Sequence, residues 1–431
     1  MRNREHEIYD VVGIGFGPSN LSLAIALEEY AASGPGNEMS AVFFERQSSF
    51  GWHRNMLLPS ATMQISFLKD LVTFRNPTSS FSFIAFLHAS GRLPRFVNNQ
   101  DFFPTRQEFH QYLEWAQARV ADCVVYGSEV TSVRQPSSTA TPADRLLLEV
   151  ADATGRAGRV IEARNVVIST GLVPSMPAGT ERDERVWHSS EFLEKYRRTD
   201  PRELRRVAVA GAGQSAAEIT RFLYDELPHA QVFAAVPSYG YSVADDTPFA
   251  NQIFDPEAVD DYYFGTDQTR GAFWRYHRNT NYSVVDGDVI RELYRRSYDD
   301  DVRGVSRLEF LNLTMVTGVK RVGTETRVSL QSGPDAEVRE LNVDVLVCAT
   351  GYDAMEPTGL LGDLDRLCLR DEAGRYRVER DYRIVTSPES RCGIYLQGGT
   401  EHTHGLTSSL LSNIAVRSGE IVDSIAARRT A

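Results

Sequence analysis

Two short glycine clusters have the residue types and spacing to cradle phosphate. In the first, Gly13, Gly15 and Gly17 alternate ahead of Pro18; in the second, Gly211 and Gly213 run into Gln214 and Ser215. Each follows an apolar run of strand length and precedes apolar residues at helical spacing. In that order one glycine permits the tight turn, another admits a pyrophosphate to the backbone, and the helix presents its N-terminal N–H groups and positive dipole end. Glu45 closes the next strand, where a carboxylate can accept from a ribose hydroxyl pair. The strand after the second cluster ends at Val236 and Pro237 with no acidic residue, which leaves room for a 2′-phosphate, yet no arginine or lysine lies between Arg221 and Arg270 to clamp one. NADPH is therefore expected, with NADH also accepted. Two dinucleotides in one chain imply a flavin, FAD, with a nicotinamide donor. No Cys-x-x-Cys accompanies them to suggest disulfide reduction, so O2 is the expected second substrate.

The elements that position these loops follow the same pattern. Strand, glycine turn and helix occur at 9–29 and again at 205–227, with further strands expected at 41–44, 164–169, 231–236 and 344–348 and a last helical stretch at 407–427. The fold class is read as α/β, with two Rossmann-like dinucleotide-binding domains and the second inserted into the first. Residues 1–200 and 330–431 are assigned to the FAD domain and 201–329 to the NADPH domain. A length of 431 residues, about three times the ~150 of a typical domain, suits two or three lobes. Lys and Arg number 46 against 58 Asp and Glu, a net charge of −12, which gives no footprint for nucleic acid or an anionic membrane. No apolar run reaches membrane length, and the start passes from charged residues directly into a strand, so a cytoplasmic protein is expected. Cys123, Cys348, Cys368 and Cys392 are too widely spaced for a disulfide framework or zinc site, and His402 and His404 lack a third ligand, so no metal is expected. Polar loops are expected at 136–144 and 298–304.

Six ordered motifs carry a resemblance across nearly the whole chain: GIGFGPSNLSLAIAL, FGWHRNMLLPSATMQISFLKDLVTFRNPTSSFSF, DDTPFANQIFDP, NTNYSVVDGDVI, DVLVCATGY and THGLTSSLLS. The sequence resembles the microbial N-hydroxylating flavin monooxygenases, specifically the L-ornithine N5-monooxygenases. That resemblance implies a small helical substrate subdomain around 245–300 beside the two dinucleotide domains. It implies N-hydroxylation of the side-chain amine of L-ornithine with NADPH and O2, through a C4a-hydroperoxyflavin, for siderophore or peptide natural-product synthesis. By the same resemblance Trp52 and His53 lie in the flavin-binding stretch, and Met63 and Gln64 lie against the isoalloxazine. Thr350 and Gly351, in the ATGY motif, join the cofactor set. Lys69 pairs with the substrate carboxylate, assisted by Asn251; Asn281 reaches both the substrate and the nicotinamide nucleotide, and Ser408 brings a small polar group. Gln64 and Asn281 are the catalytic candidates.

On their residue types alone, Trp52 and Met63 read equally as core, Lys69 as a snorkelling surface lysine, and Asn251 and Asn281 as turn residues. One departure stands out: the family commonly carries a basic residue just after the strand 231–236, where this chain has Pro237-Ser238-Tyr239. The expected partners are L-ornithine, O2 and NADPH, and a homo-oligomer is expected. The competing readings are an L-lysine or diamine N-hydroxylase with the same chemistry, a sulfur-oxidising or Baeyer–Villiger flavin monooxygenase, and an inactive flavin-binding redox sensor.

Overall fold

The computed structural model describes residues 8–136, 143–323 and 325–429. Most of the polar loop expected at 136–144, and the first seven residues, lie outside the described residues. The first sheet is built on Tyr9–Ile14, which pairs in parallel with Ala41–Glu45 on one side and Ala157–Ile168 on the other. Val124–Tyr126 and Gly393–Leu396 extend it in parallel, and Ser128–Arg134 with Leu146–Asp152 adds an antiparallel wing. Gly393–Leu396 brings the C-terminal part of the chain back into this first lobe. Helix Ile414–Arg429 then packs along Pro18–Ala32, the helix behind the first glycine loop.

Five parallel strands make the second sheet. Arg206–Ala210 lies between Gln231–Val236 and Val345–Cys348, with Leu308–Asn312 and Val186–His188 outermost. This sheet is wider than the 201–329 segment read from the sequence, because two strands from outside that span pair into it. Both are short apolar runs whose pairing partners are remote, so nothing local says which sheet they join. The antiparallel strands Thr314–Val322, Glu325–Ser332 and Glu337–Val343 form a separate sheet between Leu308–Asn312 and Val345–Cys348.

The chain passes between lobes twice, at Leu172–Pro174 and at Tyr352–Ala354, and these two strands pair antiparallel with Tyr352 opposite Pro174. Short helices Pro248–Asn251, Pro256–Tyr263 and Asp267–His277 form the helical insertion within the second lobe. Its apolar face, Ile253 and Phe254 with Phe273 and Trp274, packs on Leu406 and Leu410 of the first lobe. Among the described residues no helix is long and apolar enough to cross a membrane.

Candidate functional site

The first glycine loop has the shape that a phosphate cradle requires. Gly15 has φ +82°, and a Cβ there would meet the Ser169 carbonyl oxygen at 2.4 Å, so only glycine fits. A Cβ at Gly13 would meet the Phe43 ring at 2.1 Å, whereas nothing lies within 4 Å of the same position on Gly17, which faces open space at the start of Pro18–Ala32. Asn20 braces the turn by donating to the Gly15 carbonyl at 2.7 Å. Glu45 is buried, and its carboxylate accepts from the Phe16 amide at 2.7 Å and the Gln47 amide at 2.9 Å. One donor on each oxygen leaves lone pairs for ribose hydroxyls. An open, donor-rich helix N-terminus beside a buried carboxylate fits the diphosphate and ribose of FAD.

The second loop repeats this construction. Gly211 has φ +147° and faces the Ala349 carbonyl oxygen, 2.3 Å from a Cβ built there, as Gly15 faces Ser169. Gly213 precedes helix Gln214–Glu226 with ordinary φ and free space around it, the nearest atom being the Ser283 Cα at 3.9 Å. Ser215 lies in the first turn of that helix. Thr350 and Gly351 stand at the lobe crossing. The Thr350 hydroxyl donates to the Ser175 carbonyl at 2.5 Å, and the Gly351 carbonyl meets His188 Nε2 at 3.0 Å.

Gln214 does more than follow a phosphate loop. Its side-chain amide donates to Asp286 Oδ2 at 2.8 Å and to Glu218 Oε1 at 3.0 Å, while its carbonyl accepts from the Asp286 amide at 2.9 Å. Asp286 Oδ1 in turn accepts from Gln64 Nε2 at 3.0 Å, so one carboxylate joins Gln64 of the first lobe to the second glycine loop. Burial pushes the Asp286 carboxyl above the usual carboxylate range, against the pull of these two amides. Glu218 is held by a bidentate pair from Arg106 at 2.8 and 2.9 Å, which ties the second lobe to the first. Neither Asp286 nor Arg106 is singled out by the sequence. Asp286 heads the helix Gly287–Arg303, where an aspartate reads as an ordinary cap.

With Gln64 Nε2 held by Asp286, its Oε1 remains as an acceptor. Lys69 is half-buried, its Nζ 5.5 Å above the Phe254 ring, and among the described residues the ammonium has no hydrogen bond or ion pair. Burial lowers its pKa from the ordinary 10.5, with Asp255 pulling weakly the other way. Asn251 stands one short turn before Phe254 and donates to the Asp246 carbonyl at 2.8 Å, and its Oδ1 has no hydrogen bond among the described residues. Asn281 follows the turn Arg278–Thr280, half-buried and without a side-chain hydrogen bond among the described residues.

Ser408 is bonded within its own loop. Its hydroxyl is buried, accepts from the Thr400 amide at 3.0 Å and shares a 2.7 Å contact with the Thr400 hydroxyl, so it braces its own loop. Met63 is buried against the first-lobe core, Trp52 packs on Phe109, and His53 takes a left-handed turn at φ +47° ahead of residues 54–56. His402 Nε2 meets the Tyr376 carbonyl at 2.8 Å, and His404 Nε2 meets the Arg380 carbonyl at 3.2 Å, so each of these rings is engaged by backbone. A cavity of about 700 Å³ is lined by Trp274, Arg275, Arg278, Asn279, Tyr282 and Ser283, and the two guanidinium groups in it have no side-chain partner among the described residues.

Residues 7–354 match the L-lysine 6-monooxygenase/L-ornithine 5-monooxygenase family. An L-ornithine N(5)-oxygenase of Arthrobotrys oligospora is 38% identical, over 97% of this chain and 88% of that one. An L-ornithine N(5)-monooxygenase of Pseudomonas aeruginosa is 35% identical, over 97% and 94% respectively. Among solved structures, the ornithine N-hydroxylase of Kutzneria sp. 744, determined with reduced FAD, NADP⁺ and L-ornithine, is similar over 98% of this chain and 100% of that one, with a TM-score of 0.94 and 62% identity.

Proposed function

The chain belongs to the L-lysine 6-monooxygenase/L-ornithine 5-monooxygenase family, and from that premise we propose that it N-hydroxylates the side-chain amine of L-ornithine, using FAD, NADPH and O2. The reaction is R–NH2 + O2 + NADPH + H⁺ → R–NHOH + H2O + NADP⁺. Bound FAD would take the hydride from NADPH and activate O2. The single observation that carries the substrate assignment is Lys69, a half-buried ammonium over the Phe254 ring that makes no hydrogen bond or ion pair among the described residues. A desolvated cation of this kind is a carboxylate receptor, and it favours an amino acid over a diamine.

The remaining groups orient and exclude. Asn251 Oδ1 can accept from the α-ammonium, and Asn281 serves the substrate and the nicotinamide nucleotide together. Gln64 offers its Oε1 as an acceptor toward the reacting amine, with one of its two N–H donors held by Asp286. Met63 and Trp52 form the apolar wall that keeps water out. The terminal amine must be neutral to act as a nucleophile, and an alkylammonium in water has a pKa of about 10.4. Burial of the amine, with the Lys69 cation at the carboxylate end, favours loss of that proton. Ser408 acts through the loop it braces.

NADPH would be held over Gly211, Gly213, Gln214 and Ser215, and Arg275 and Arg278, on the cavity beside Ser283, would supply the positive charge that the Pro237 region lacks. The nicotinamide lobe spans about residues 175 to 350, between the two crossing strands. Dependence on NADPH suits a cytoplasmic enzyme. Phe249, Phe264 and Tyr276 project from the helical insertion at 84%, 73% and 77% exposure, which supports a homo-oligomer. The deciding experiment is hydroxylamine formed per NADPH oxidised for ornithine, lysine, putrescine and cadaverine. Tight coupling is expected for ornithine alone, and equal coupling for putrescine would move the assignment to a diamine hydroxylase.

A further inference from the structure

Arg417 lies on the helix Ile414–Arg429, 2% exposed, and among the described residues no carboxylate comes within ion-pair distance of it. Three acidic groups bear on it from nearby: the Tyr382 phenol, its ring 5.9 Å from the guanidinium, is pushed up to about 12 by burial, Glu420 takes a bidentate pair from Arg380 at 2.9 Å, and Glu401 accepts from the Ser409 hydroxyl. All its hydrogen bonds go to neutral oxygens. Nη1 donates to the Ser408 carbonyl at 2.5 Å, Nε to Gln397 Oε1 at 3.4 Å, and Nη2 to Ser19 Oγ at 3.3 Å. Burial alone lowers the pKa of this guanidinium, and a buried charge without a counter-charge costs several kcal/mol.

Two of those partners lead to the first phosphate loop. Ser19 is the second residue of the helix that begins at Pro18. Gln397 donates to Asn20 Oδ1 at 3.0 Å, and Asn20 in turn donates to the Gly15 carbonyl at 2.7 Å. Because the Ser19 hydroxyl accepts from a guanidinium, its own proton is directed away from Arg417, toward whatever lies at the helix N-terminus. A hydroxyl hydrogen-bonded to a cation is also a stronger donor.

We propose that Arg417 is the buried counter-charge of the FAD diphosphate, a positioning residue that acts through the Ser19 hydroxyl. The proposal rests on the flavin reading of the loop at Gly13–Pro18. The missing anion is then the cofactor, and the apoprotein carries the uncompensated charge until FAD binds. Arg417 also holds the Ser408 carbonyl, so the same side chain fixes the 400–409 loop once the flavin is in place.

The test separates a charge partner from a packing residue by the sign of two effects. In Arg417→Met the buried charge is replaced by an apolar chain of similar length. The apoprotein should melt at the wild-type temperature or above, while the dissociation constant for FAD, from flavin fluorescence on titrating apoprotein, should rise at least tenfold. Affinity for ADP, which keeps the diphosphate, should fall in parallel, and affinity for adenosine should not. An FAD dissociation constant within twofold of wild type would overturn the proposal. If Arg417→Met lowers both apoprotein stability and FAD affinity, the double variant with Ser19→Ala decides: non-additive losses support the relay, and additive losses overturn it. If Arg417→Met does not fold, Ser19→Ala alone should weaken FAD at least threefold, and an unchanged value refutes the route through its hydroxyl. Wild-type protein that binds no FAD would instead sink the flavin reading itself.

Discussion

Lys69 has the simplest chemistry of the site residues and the most decisive consequences. Losing one partner of a desolvated charge pair costs roughly 2–4 kcal/mol. Lys69→Ala should therefore raise KM for ornithine by tens to several hundredfold, and steady-state kinetics with putrescine, which lacks the carboxylate, should show no further loss. Its depressed pKa adds a pH dependence whose sign is fixed. The free site needs Lys69 protonated, burial makes it lose that proton below 10.5, and so KM for ornithine should climb on the alkaline side before that pH. Lys69→Arg should abolish the alkaline climb, because a guanidinium does not titrate there. An unchanged climb in that variant would assign it to another group. On its residue type alone Lys69 has no signature, an isolated lysine in an apolar run; the resemblance singles it out, and the structure adds that its ammonium makes no hydrogen bond or ion pair among the described residues. Ser408 makes the opposite point: a small hydroxyl in the right motif was legible, but that Thr400 would occupy it was not.

The elements divide along the same line. Both phosphate loops were readable because the glycine requirement is local: a left-handed or close-packed residue leaves its mark in the sequence itself. The structure sharpens which glycine tests what. Gly15→Val would collide with the Ser169 carbonyl and is expected to disrupt folding, whereas Gly17→Val has free space and ordinary φ. Gly17→Val should keep its apoprotein melting temperature and lose FAD affinity by tenfold or more. Gly213→Val, equally uncrowded, should retain FAD while stopped-flow measurement shows slower flavin reduction by NADPH. Loss of FAD from Gly213→Val would mean that the two loops do not serve separate nucleotides. The strands Val186–His188 and Val345–Cys348 were not assignable to the right lobe, since parallel pairing joins residues remote in sequence and their apolar runs suit either sheet.

At the scale of the molecule, two lobes and a helical insertion meet on a few polar side chains. Asp286 is the common point, holding Gln64 from one lobe and Gln214 from the other. Asp286→Ala should free both amides while leaving FAD binding intact. The expected result is a fall in hydroxylamine formed per NADPH oxidised, with peroxide making up the difference, and undiminished coupling would show that the bridge has no part in catalysis. The crossings have a separate implication. Pro174 and Tyr352 face each other across one antiparallel ladder, so the chain enters and leaves the second lobe at the same doorstep. An insertion with adjoining ends is one that a chain can gain or lose at a single point. A two-residue turn linking 174 to 352 would close the first lobe as a hairpin, and the excised piece would have its termini side by side, ready to be grafted, circularised or exchanged for the reductase lobe of a relative.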